Sequence, residues 1–230
     1  MLVLDDVTIT QDDFTLHAAF TVPPAARVAV IGPSGAGKST LLGALAGFIP
    51  LAVGRILWDG RDITGLGPAA RPLSIVFQDN NLFPHLSAFD NVALGVNPAL
   101  RLTGQDRDRI TRALARVGLD GLEGRRPAQL SGGQQSRVAL ARVLSQRKPL
   151  VLLDEPFSAL GPALKAEMLA LLTDICTETG AMLLMVTHDI ADAKAIAPQT
   201  LLVADGRAEG PFATTHLLEN PPEALRAYLG

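Results

Sequence analysis

A glycine-rich segment near the start of the chain has the composition of a phosphate-binding loop. It fits the pattern G-x-x-x-x-G-K-[ST], with an apolar run typical of a strand before it and one typical of a helix after it. Gly35 and Gly37 are free to adopt positive φ, which lets backbone N–H groups converge on an anion. We expect Lys38 to reach the β- and γ-phosphates and the Ser39 hydroxyl to be a ligand for Mg²⁺. This context favours a nucleotide phosphate site over a chance glycine-rich turn, and the residues of the site are Gly32, Pro33, Ser34, Gly35, Ala36, Gly37, Lys38, Ser39 and Thr40.

Two adjacent carboxylates, Asp154 and Glu155, follow a second apolar run, Leu150–Leu153. On a parallel strand beside the phosphate loop, Asp154 would help to hold Mg²⁺ through water. Glu155 would then face the γ-phosphate and act as the general base for an attacking water. A solvated acidic turn after a strand is the alternative. The phosphate loop upstream favours the catalytic interpretation.

Two further polar residues follow apolar runs and are candidates for the same site. His188 comes just after the run Met182–Val186, where it would form a hydrogen-bonding switch beside a γ-phosphate. Gln78 ends the run Leu73–Phe77, and its amide would bond both the Mg²⁺ shell and the attacking water. A lone histidine is more often a structural residue, and Gln78 carries no weight by itself. Both interpretations depend on the phosphate loop.

The apolar runs around these residues are typical of buried strands in an α/β fold. The candidate strands are Val28–Ile31, Leu73–Phe77, Leu150–Leu153, Met182–Val186 and Thr200–Ala204. Three runs near the N-terminus favour antiparallel strands instead, and these are Leu2–Thr10, Phe14–Val22 and Gly54–Asp59. Residues 80–130 contain no convincing strand, and Thr103–Val117 repeats apolar residues at helical spacing. We therefore predict a helical subdomain inserted into a sheet domain.

Composition narrows the class of protein further. The chain has 230 residues, of which 48% are hydrophobic and 19% charged, and this is a globular composition. Its net charge of −3 gives no general attraction for nucleic acid, so none is expected as a partner. The single cysteine, Cys176, excludes an intrachain disulfide. With neither a secretory signal nor a membrane span in the sequence, we expect a soluble intracellular chain.

The segment Leu130–Gln134 completes an order of motifs that resembles the ATP-binding cassette (ABC) ATPases over essentially the full chain. Physically, its serine and glycines are typical of a helix N-terminus that presents N–H groups to a phosphate. The resemblance implies that this signature loop contacts the ATP held by the opposite subunit of a head-to-tail homodimer. The residues implied for that contact are Ser131, Gly132, Gly133 and Gln134.

The resemblance also implies a fold and a set of roles. The fold is α/β, a P-loop NTPase of ABC ATPase type with a mixed-sheet core, an N-terminal antiparallel β subdomain and an inserted helical subdomain. Residues 1–230 would form one domain, with the core at about 1–79 and 136–230 and the helical subdomain at about 80–135. ATP and Mg²⁺ are the implied cofactors. The implied metal ligands are Ser39, Gln78 and Asp154, and the implied catalytic residues are Glu155, His188 and Gln78.

Two positions depart from the family pattern or fit it weakly. The family usually has an aspartate where this chain has Gly161, and that aspartate helps the two subunits to communicate. We therefore expect weakened coupling or hydrolysis. The family also stacks an aromatic residue on adenine, and Phe14 is the candidate here, with an ordinary role in the sheet core as the alternative.

Within the family the chain looks like an importer subunit, because it is a single cassette without fused membrane helices. The implied partners are a separate transmembrane permease and, indirectly, a periplasmic solute-binding protein, with the chain on the cytoplasmic face of the inner membrane. A coupling helix of the permease would dock on Gln78–Leu86, which contains Leu82, Phe83, Pro84 and Leu86. Burial of these residues in the helical subdomain is the alternative.

The solute follows from resemblance alone, since it never touches this subunit. Three segments look most like those of the ATPases of thiamine importers, and they are Arg71-Pro72, Asn80–Phe83 and Leu94–Leu102. This resemblance implies uptake of thiamine and thiamine phosphates. An importer of ferric iron, a polyamine or an anion is the first alternative. A soluble ABC ATPase acting on ribosomes or DNA, and a nonhydrolysing scaffold, are the others.

Overall fold

The computed structural model describes residues 1–79 and 81–229, with side chains described up to residue 226. One mixed sheet runs through the described residues in the strand order β5-β4-β1-β2-β10-β9-β3-β8-β7-β6. Its strands are Leu2–Gln11 (β1), Phe14–Val22 (β2), Arg27–Ile31 (β3), Val53–Trp58 (β4), Arg61–Asp62 (β5), Leu73–Val76 (β6), Leu150–Asp154 (β7), Met182–Val186 (β8), Gln199–Ala204 (β9) and Arg207–Ala213 (β10).

Helices cover the sheet and extend from it. They are Lys38–Ala46 (α1), Ala88–Val96 (α2), Gly104–Arg116 (α3), Gly132–Gln146 (α4), Pro162–Thr179 (α5), Ile190–Ile196 (α6), Thr214–Glu219 (α7) and Glu223–Leu229 (α8). Within the described part of the chain, no helix combines the length and apolar character that crossing a bilayer requires.

The parallel half of the sheet brings the predicted site residues to one edge. Strands β9, β3, β8, β7 and β6 are parallel neighbours, so their carboxyl ends lie side by side. All five residues of β8 are buried, as expected for a parallel strand covered on both faces. Val186 at the end of β8 pairs with Val30 of β3 and with Asp154 of β7. This register aligns the segments that follow the three strands.

The antiparallel half contains the three strands predicted near the N-terminus. β2 alternates buried and exposed residues, so one face packs on the core and the other faces solvent. Two strands, β5 and β10, were not predicted. β10 pairs with β9 in antiparallel and with β2 in parallel orientation, and it therefore joins the two halves of the sheet. The predicted mixed α/β class is confirmed.

Between β6 and β7 the described residues form helices and short turns without a strand. The predicted helix over Thr103–Val117 is present as α3, with Thr103 as its N-cap. The sequence did not predict α2. The boundaries proposed for a helical subdomain stay a prediction: residue 80 lies outside the described residues, as does residue 230, and the boundary at 135/136 falls within the continuous helix α4.

Candidate nucleotide-binding site

The loop between β3 and α1 has a backbone that glycine makes possible. Gly32, Gly35 and Gly37 have φ of 152°, 75° and 101°, the positive values expected for a phosphate loop. A Cβ atom on Gly32 would lie 1.9 Å from the carbonyl oxygen of Val203 in β9, and one on Gly37 would lie 2.5 Å from the ring of Phe14. Larger residues at these two positions would push the loop out of place. The loop leads directly into α1, whose first N–H groups point at the same space.

Lys38 is the buried cation of this loop. Its ammonium donates hydrogen bonds to the carbonyl oxygens of Gly32 and Pro33, both at 2.8 Å. Burial lowers the pKa of Lys38, whereas the nearby carboxylates of Glu155 and Asp154 raise it. The lysine is therefore held over the loop by neutral carbonyls, which an anionic phosphate would replace as a stronger partner.

Ser39 and Asp154 lie together, although 115 positions separate them in sequence. The Ser39 hydroxyl forms a hydrogen bond with the Asp154 carboxylate, and burial of that carboxylate raises its pKa above the ordinary value. A hydroxyl and a carboxylate are the hard oxygen donors that Mg²⁺ prefers. Among the described residues no group of three or more His, Cys, Asp or Glu side chains could hold a metal. The donors present therefore fit a Mg²⁺ held by few protein ligands together with phosphates and water.

Glu155 and His188 form a hydrogen-bonded pair across the ends of β7 and β8. His188 Nδ1 lies 3.0 Å from Glu155 Oε2, and the Glu155 side chain is 23% exposed while that of His188 is 55% exposed. Glu155 has a φ of 45°, and its N–H donates to the carbonyl of Val186 at 3.1 Å. A left-handed backbone is uncommon at a non-glycine residue. The carboxylate is thus fixed both at its backbone and at its side chain.

A polar cleft of about 780 Å³ collects most of the predicted residues. Gln78 lines this cleft from a position two residues after the end of β6. The strand itself ends at Val76, one residue earlier than the predicted strand over Leu73–Phe77. Phe14 lines the cleft with its ring against Gly37. The other lining residues are Gln11, Asp12, Gly32, Ser34, Gly35, Gly37, Lys38, Ser39, Thr40, Glu155 and His188.

Sequence reasoning missed two of these lining residues. Gln11 is the last residue of β1 and Asp12 follows it in the tight turn before β2, and the Thr40 hydroxyl donates to the Gln11 side chain at 3.3 Å. The turn was recognisable from its polar residues between two apolar runs. The contact of this turn with α1 was not recognisable from the sequence, because it depends on how the sheet packs over the helix.

The signature loop lies apart from this cleft. Ser131 is the N-cap of α4, with its hydroxyl accepting from Gln134 N–H at 3.3 Å and its own N–H donating to Gln134 Oε1 at 2.9 Å. A Cβ atom on Gly133 would lie 2.3 Å from the Leu164 side chain of α5. The helix begins at Gly132, inside the segment that the sequence indicates as a helix N-terminus. None of the signature residues Ser131, Gly132, Gly133 and Gln134 lines the cleft within one described chain.

Gly161 is the N-cap of α5, and among the described residues no atom beyond its two chain neighbours lies within 4 Å of the Cβ position it lacks. Its φ of −66° is accessible to any residue. The local space and the backbone geometry at this position would therefore both allow an aspartate.

Comparison with known proteins supplies the family. The model of the family described as "ABC transporter" matches residues 16–158. The chain is 61% identical over all 230 residues to the thiamine import ATP-binding protein ThiQ of Cereibacter sphaeroides, with both chains fully covered. It is 45% identical over 224 residues to ThiQ of Escherichia coli, covering 97% of each chain.

Solved structures give the same result for the fold. A dimeric ATP-binding cassette, MJ0796 in a post-hydrolysis state with ADP and Pi, superposes with a TM-score of 0.82 at 30% identity, covering 93% of this chain and 99% of that one. A second dimeric structure of the MJ0796 cassette superposes with a TM-score of 0.81 over the same shares of the two chains. These matches confirm the ABC ATPase type predicted for the fold. The chain belongs to the ABC transporter family and has its ATP-binding cassette.

Proposed function

We propose that this chain is the ATP-hydrolysing subunit of an ABC importer that takes up thiamine and thiamine phosphates. The observation that carries the proposal is the Glu155–His188 pair, which faces the same cleft as the phosphate loop and Lys38. A cleft that only bound nucleotide would not need a carboxylate fixed in this way. The names of the relatives support thiamine as the solute.

The proposed reaction begins with the phosphates of ATP on the loop. The backbone N–H groups of the loop and of the first turn of α1 bind the phosphate oxygens. Lys38 exchanges its bonds to two backbone carbonyls for bonds to the terminal phosphates. Mg²⁺, held by Ser39, Gln78 and Asp154, would neutralise part of the charge that these oxygens carry.

Hydrolysis then requires one water and one proton acceptor. The oxygen of the water attacks the γ-phosphorus, the bond to the β,γ-bridging oxygen breaks, and that oxygen leaves as part of ADP. Glu155 accepts a proton from the water, which becomes part of the inorganic phosphate. His188 holds the Glu155 carboxylate at 3.0 Å and directs it toward the cleft. Phe14, whose ring lines the cleft, is proposed to stack on adenine.

The signature loop is proposed to complete the site of a second copy. Ser131, Gly132, Gly133 and Gln134 do not face the cleft of their own chain, but they form a helix N-terminus with the N–H groups that a phosphate needs. The structures of the similar MJ0796 cassette are dimeric, which supports a head-to-tail homodimer. Each ATP would then lie between the phosphate loop of one subunit and the signature loop of the other.

The permease is proposed to dock beside Gln78, on the cytoplasmic face of the inner membrane. The Phe83 side chain is 47% exposed, although its backbone N–H and carbonyl both bond to the fully buried Asn91 side chain. Phe77, next to Gln78, packs against Phe48, which is 55% exposed. Aromatic residues are enriched at protein–protein interfaces, which supports a partner surface here. With this exposure Phe83 is not buried in the helical subdomain, whereas Leu82 of the same loop is partly buried and packs against the core there.

The test uses the chain together with its permease and its solute-binding protein in proteoliposomes. We expect thiamine in the presence of the binding protein to stimulate ATP hydrolysis, because solute binding is proposed to reach the cassette through the permease. Ferric iron, a polyamine and a dianion in place of thiamine distinguish the alternative solutes. ATP hydrolysis that does not respond to thiamine would support the proposed ATPase activity but contradict thiamine as the solute.

Phe83→Asp tests the docking surface. We expect loss of copurification with the permease, because a carboxylate would be buried against an apolar partner, while the isolated subunit keeps its rate of ATP hydrolysis. The matched control is Phe212→Asp, the same exchange at an exposed phenylalanine of β10 outside the proposed docking loop, and it should copurify with the permease as the wild type does. Retained copurification of the Phe83 variant would contradict docking at this loop.

A further inference from the structure

Three charged side chains form a sheltered cluster next to the cleft. The Lys165 ammonium lies 2.8 Å from Asp189 Oδ2 and 3.2 Å from Asp192 Oδ2. The side chains of Lys165 and Asp192 are 16% and 13% exposed, so solvent screens this triad less than a surface pair. The hydrogen bond to Asp189 raises the pKa of Lys165, which keeps the ammonium charged.

The two aspartates hold the segment that carries His188. The N–H of Asp189 donates to the Thr187 hydroxyl at 3.1 Å, and that hydroxyl donates to Asp192 at 3.3 Å. Asp189 also caps α6 by accepting from the N–H of Ala191 at 2.8 Å. The residues on both sides of the histidine are therefore tied to the carboxylates that Lys165 joins.

The other end of this link is the first turn of α5. The N–H of Lys165 donates to the carbonyl of Gly161 at 2.9 Å, so the lysine lies one turn after the residue that stands in place of the family aspartate. Gly161 has no side chain with which to contact the histidine segment. Within the described part of the first turn of α5, the charged side chain that contacts Asp189 and Asp192 is that of Lys165.

We propose that Lys165 is a positioning residue for hydrolysis, which holds the segment 187–189 against α5 so that His188 keeps its contact with Glu155. The inference depends on the proposed function. Without the ammonium, Asp189 and Asp192 would face each other as two carboxylates with no cation between them. Their repulsion would move the backbone on either side of His188. Lys165 does not line the ATP cleft, so its loss should slow the chemical step without weakening nucleotide binding.

Steady-state kinetics of Lys165→Met test this division of effects. We expect kcat to fall about 10-fold to 100-fold, the range caused by displacing a catalytic group, while KM for ATP stays unchanged. Lys165→Arg keeps the charge and should recover most of kcat. The matched control is Glu167→Gln on the same helix, which removes the charge from a 2.8 Å ion pair with Arg137, and neither of these residues belongs to the segment 187–189. This control should leave kcat and KM as in the wild type.

A double-mutant cycle tests whether Lys165 acts through His188. In a His188→Ala background, Lys165→Met should cause little further loss of the residual rate, because the group that it positions is already absent. An equal loss in both backgrounds, or an unchanged kcat in the wild-type background, would overturn the inference. A fall in kcat matched by a rise in KM would also overturn it, since that pattern indicates general damage to the site.

A second variant covers the case in which Lys165→Met does not fold. Asp189→Asn weakens the ion pair with Lys165 but keeps the cap of α6, because asparagine caps helices as well as aspartate does. It should lower kcat and leave KM unchanged, and wild-type kinetics would overturn the inference. Absence of ATP hydrolysis by the wild-type protein would instead contradict the proposed function, and the inference with it.

Discussion

At the scale of single residues, the proposed hydrolysis depends on the carboxylate of Glu155. Glu155 has positive φ, an N–H bonded to the end of β8 and a side chain bonded to His188. These three features aim it into the space in front of Lys38. A solvent-facing acidic turn, the alternative considered from the sequence, does not have such contacts.

Glu155→Gln separates binding from hydrolysis. Glutamine keeps the size and the hydrogen-bonding reach of the side chain but cannot act as the base, so we expect kcat to fall about 10²-fold to 10⁴-fold. ATP should still bind through the phosphate loop, and an ATP-bound dimer should accumulate. Size-exclusion chromatography of the variant with ATP measures this dimer. The matched control is Glu178→Gln, which removes an exposed glutamate paired with Arg116. Near-normal turnover of the Glu155 variant would mean that another group is the base.

Gly161→Asp restores the residue that the family usually has. The open space at the Cβ position and the ordinary φ predict no strain, and aspartate is a better N-cap for α5 than alanine by about 1 kcal/mol. We expect Gly161→Asp to melt about 2 to 4 °C above Gly161→Ala. We also expect its ATPase rate to rise more steeply with protein concentration than that of the wild type, if the aspartate couples the subunits. Equal melting temperatures would contradict the capping argument.

At the scale of secondary-structure elements, a buried arginine holds the far end of the phosphate-loop helix. Arg71 is 2% exposed and donates to four backbone carbonyls, including those of Ala44 and Leu45 in the last turn of α1, both at 2.7 Å. The other two acceptors are the carbonyls of Thr64 and Leu66, both at 2.9 Å. Burial lowers the pKa of Arg71, yet the cation lies where the helix dipole favours positive charge. The arginine therefore joins α1 to the chain segment that leads into β6.

Arg71→Met should destabilise the protein by about 3 kcal/mol or more. The methionine fills part of the volume, but all four carbonyls lose the guanidinium as a donor, and within the described residues only that of Ala44 keeps another donor, the N–H of Gly47. A buried carbonyl without a donor is costly. Arg71→Lys keeps the charge without the planar fork, so we expect an intermediate loss. Urea unfolding of the three proteins measures the order. A lysine variant as stable as the wild type would show that the charge alone is sufficient.

At the scale of the whole molecule, the phosphate loop and the signature loop, which are the two proposed halves of a nucleotide site, lie on different surfaces of one chain. The phosphate loop, both carboxylates and His188 meet at the carboxyl edge of the parallel strands, whereas the signature residues cap α4 outside the cleft. A second copy in head-to-tail orientation would bring each half against its complement. Function is then a property of the pair of chains.

Mixing two inactive variants tests the shared site. A dimer of one Lys38→Ala chain and one Ser131→Arg chain has one site with both lesions and one with neither, so activity should return above that of either variant alone. Each variant mixed with itself at the same total concentration is the control. A lack of recovery, together with wild-type activity strictly linear in protein concentration down to nanomolar levels, would indicate a self-contained monomer.

Features that depend on neighbouring residues were readable from the amino-acid sequence. The phosphate loop is one uninterrupted segment, and its glycines adopt positive φ because the turn into α1 requires it. The Ser131–Gln134 cap and the apolar strands are similarly local, since a few consecutive residues make their hydrogen bonds or bury their side chains. These segments were sufficient to indicate the fold class and the family.

The tertiary structure alone decided which distant segments touch. Four features join residues that are far apart in the chain. They are the Glu155–His188 contact, the position of Gln11 in the cleft, the pairing of β10 with β2 and the ion pair between Lys165 and Asp189. Each depends on the register of parallel strands or on the packing of a helix across the sheet, and no local pattern encodes either. The exposure of Phe83 is of the same kind, because an apolar residue in a loop is buried or exposed according to what packs over it. Local chemistry therefore predicted the cofactor, and long-range packing determined the geometry that would act on it.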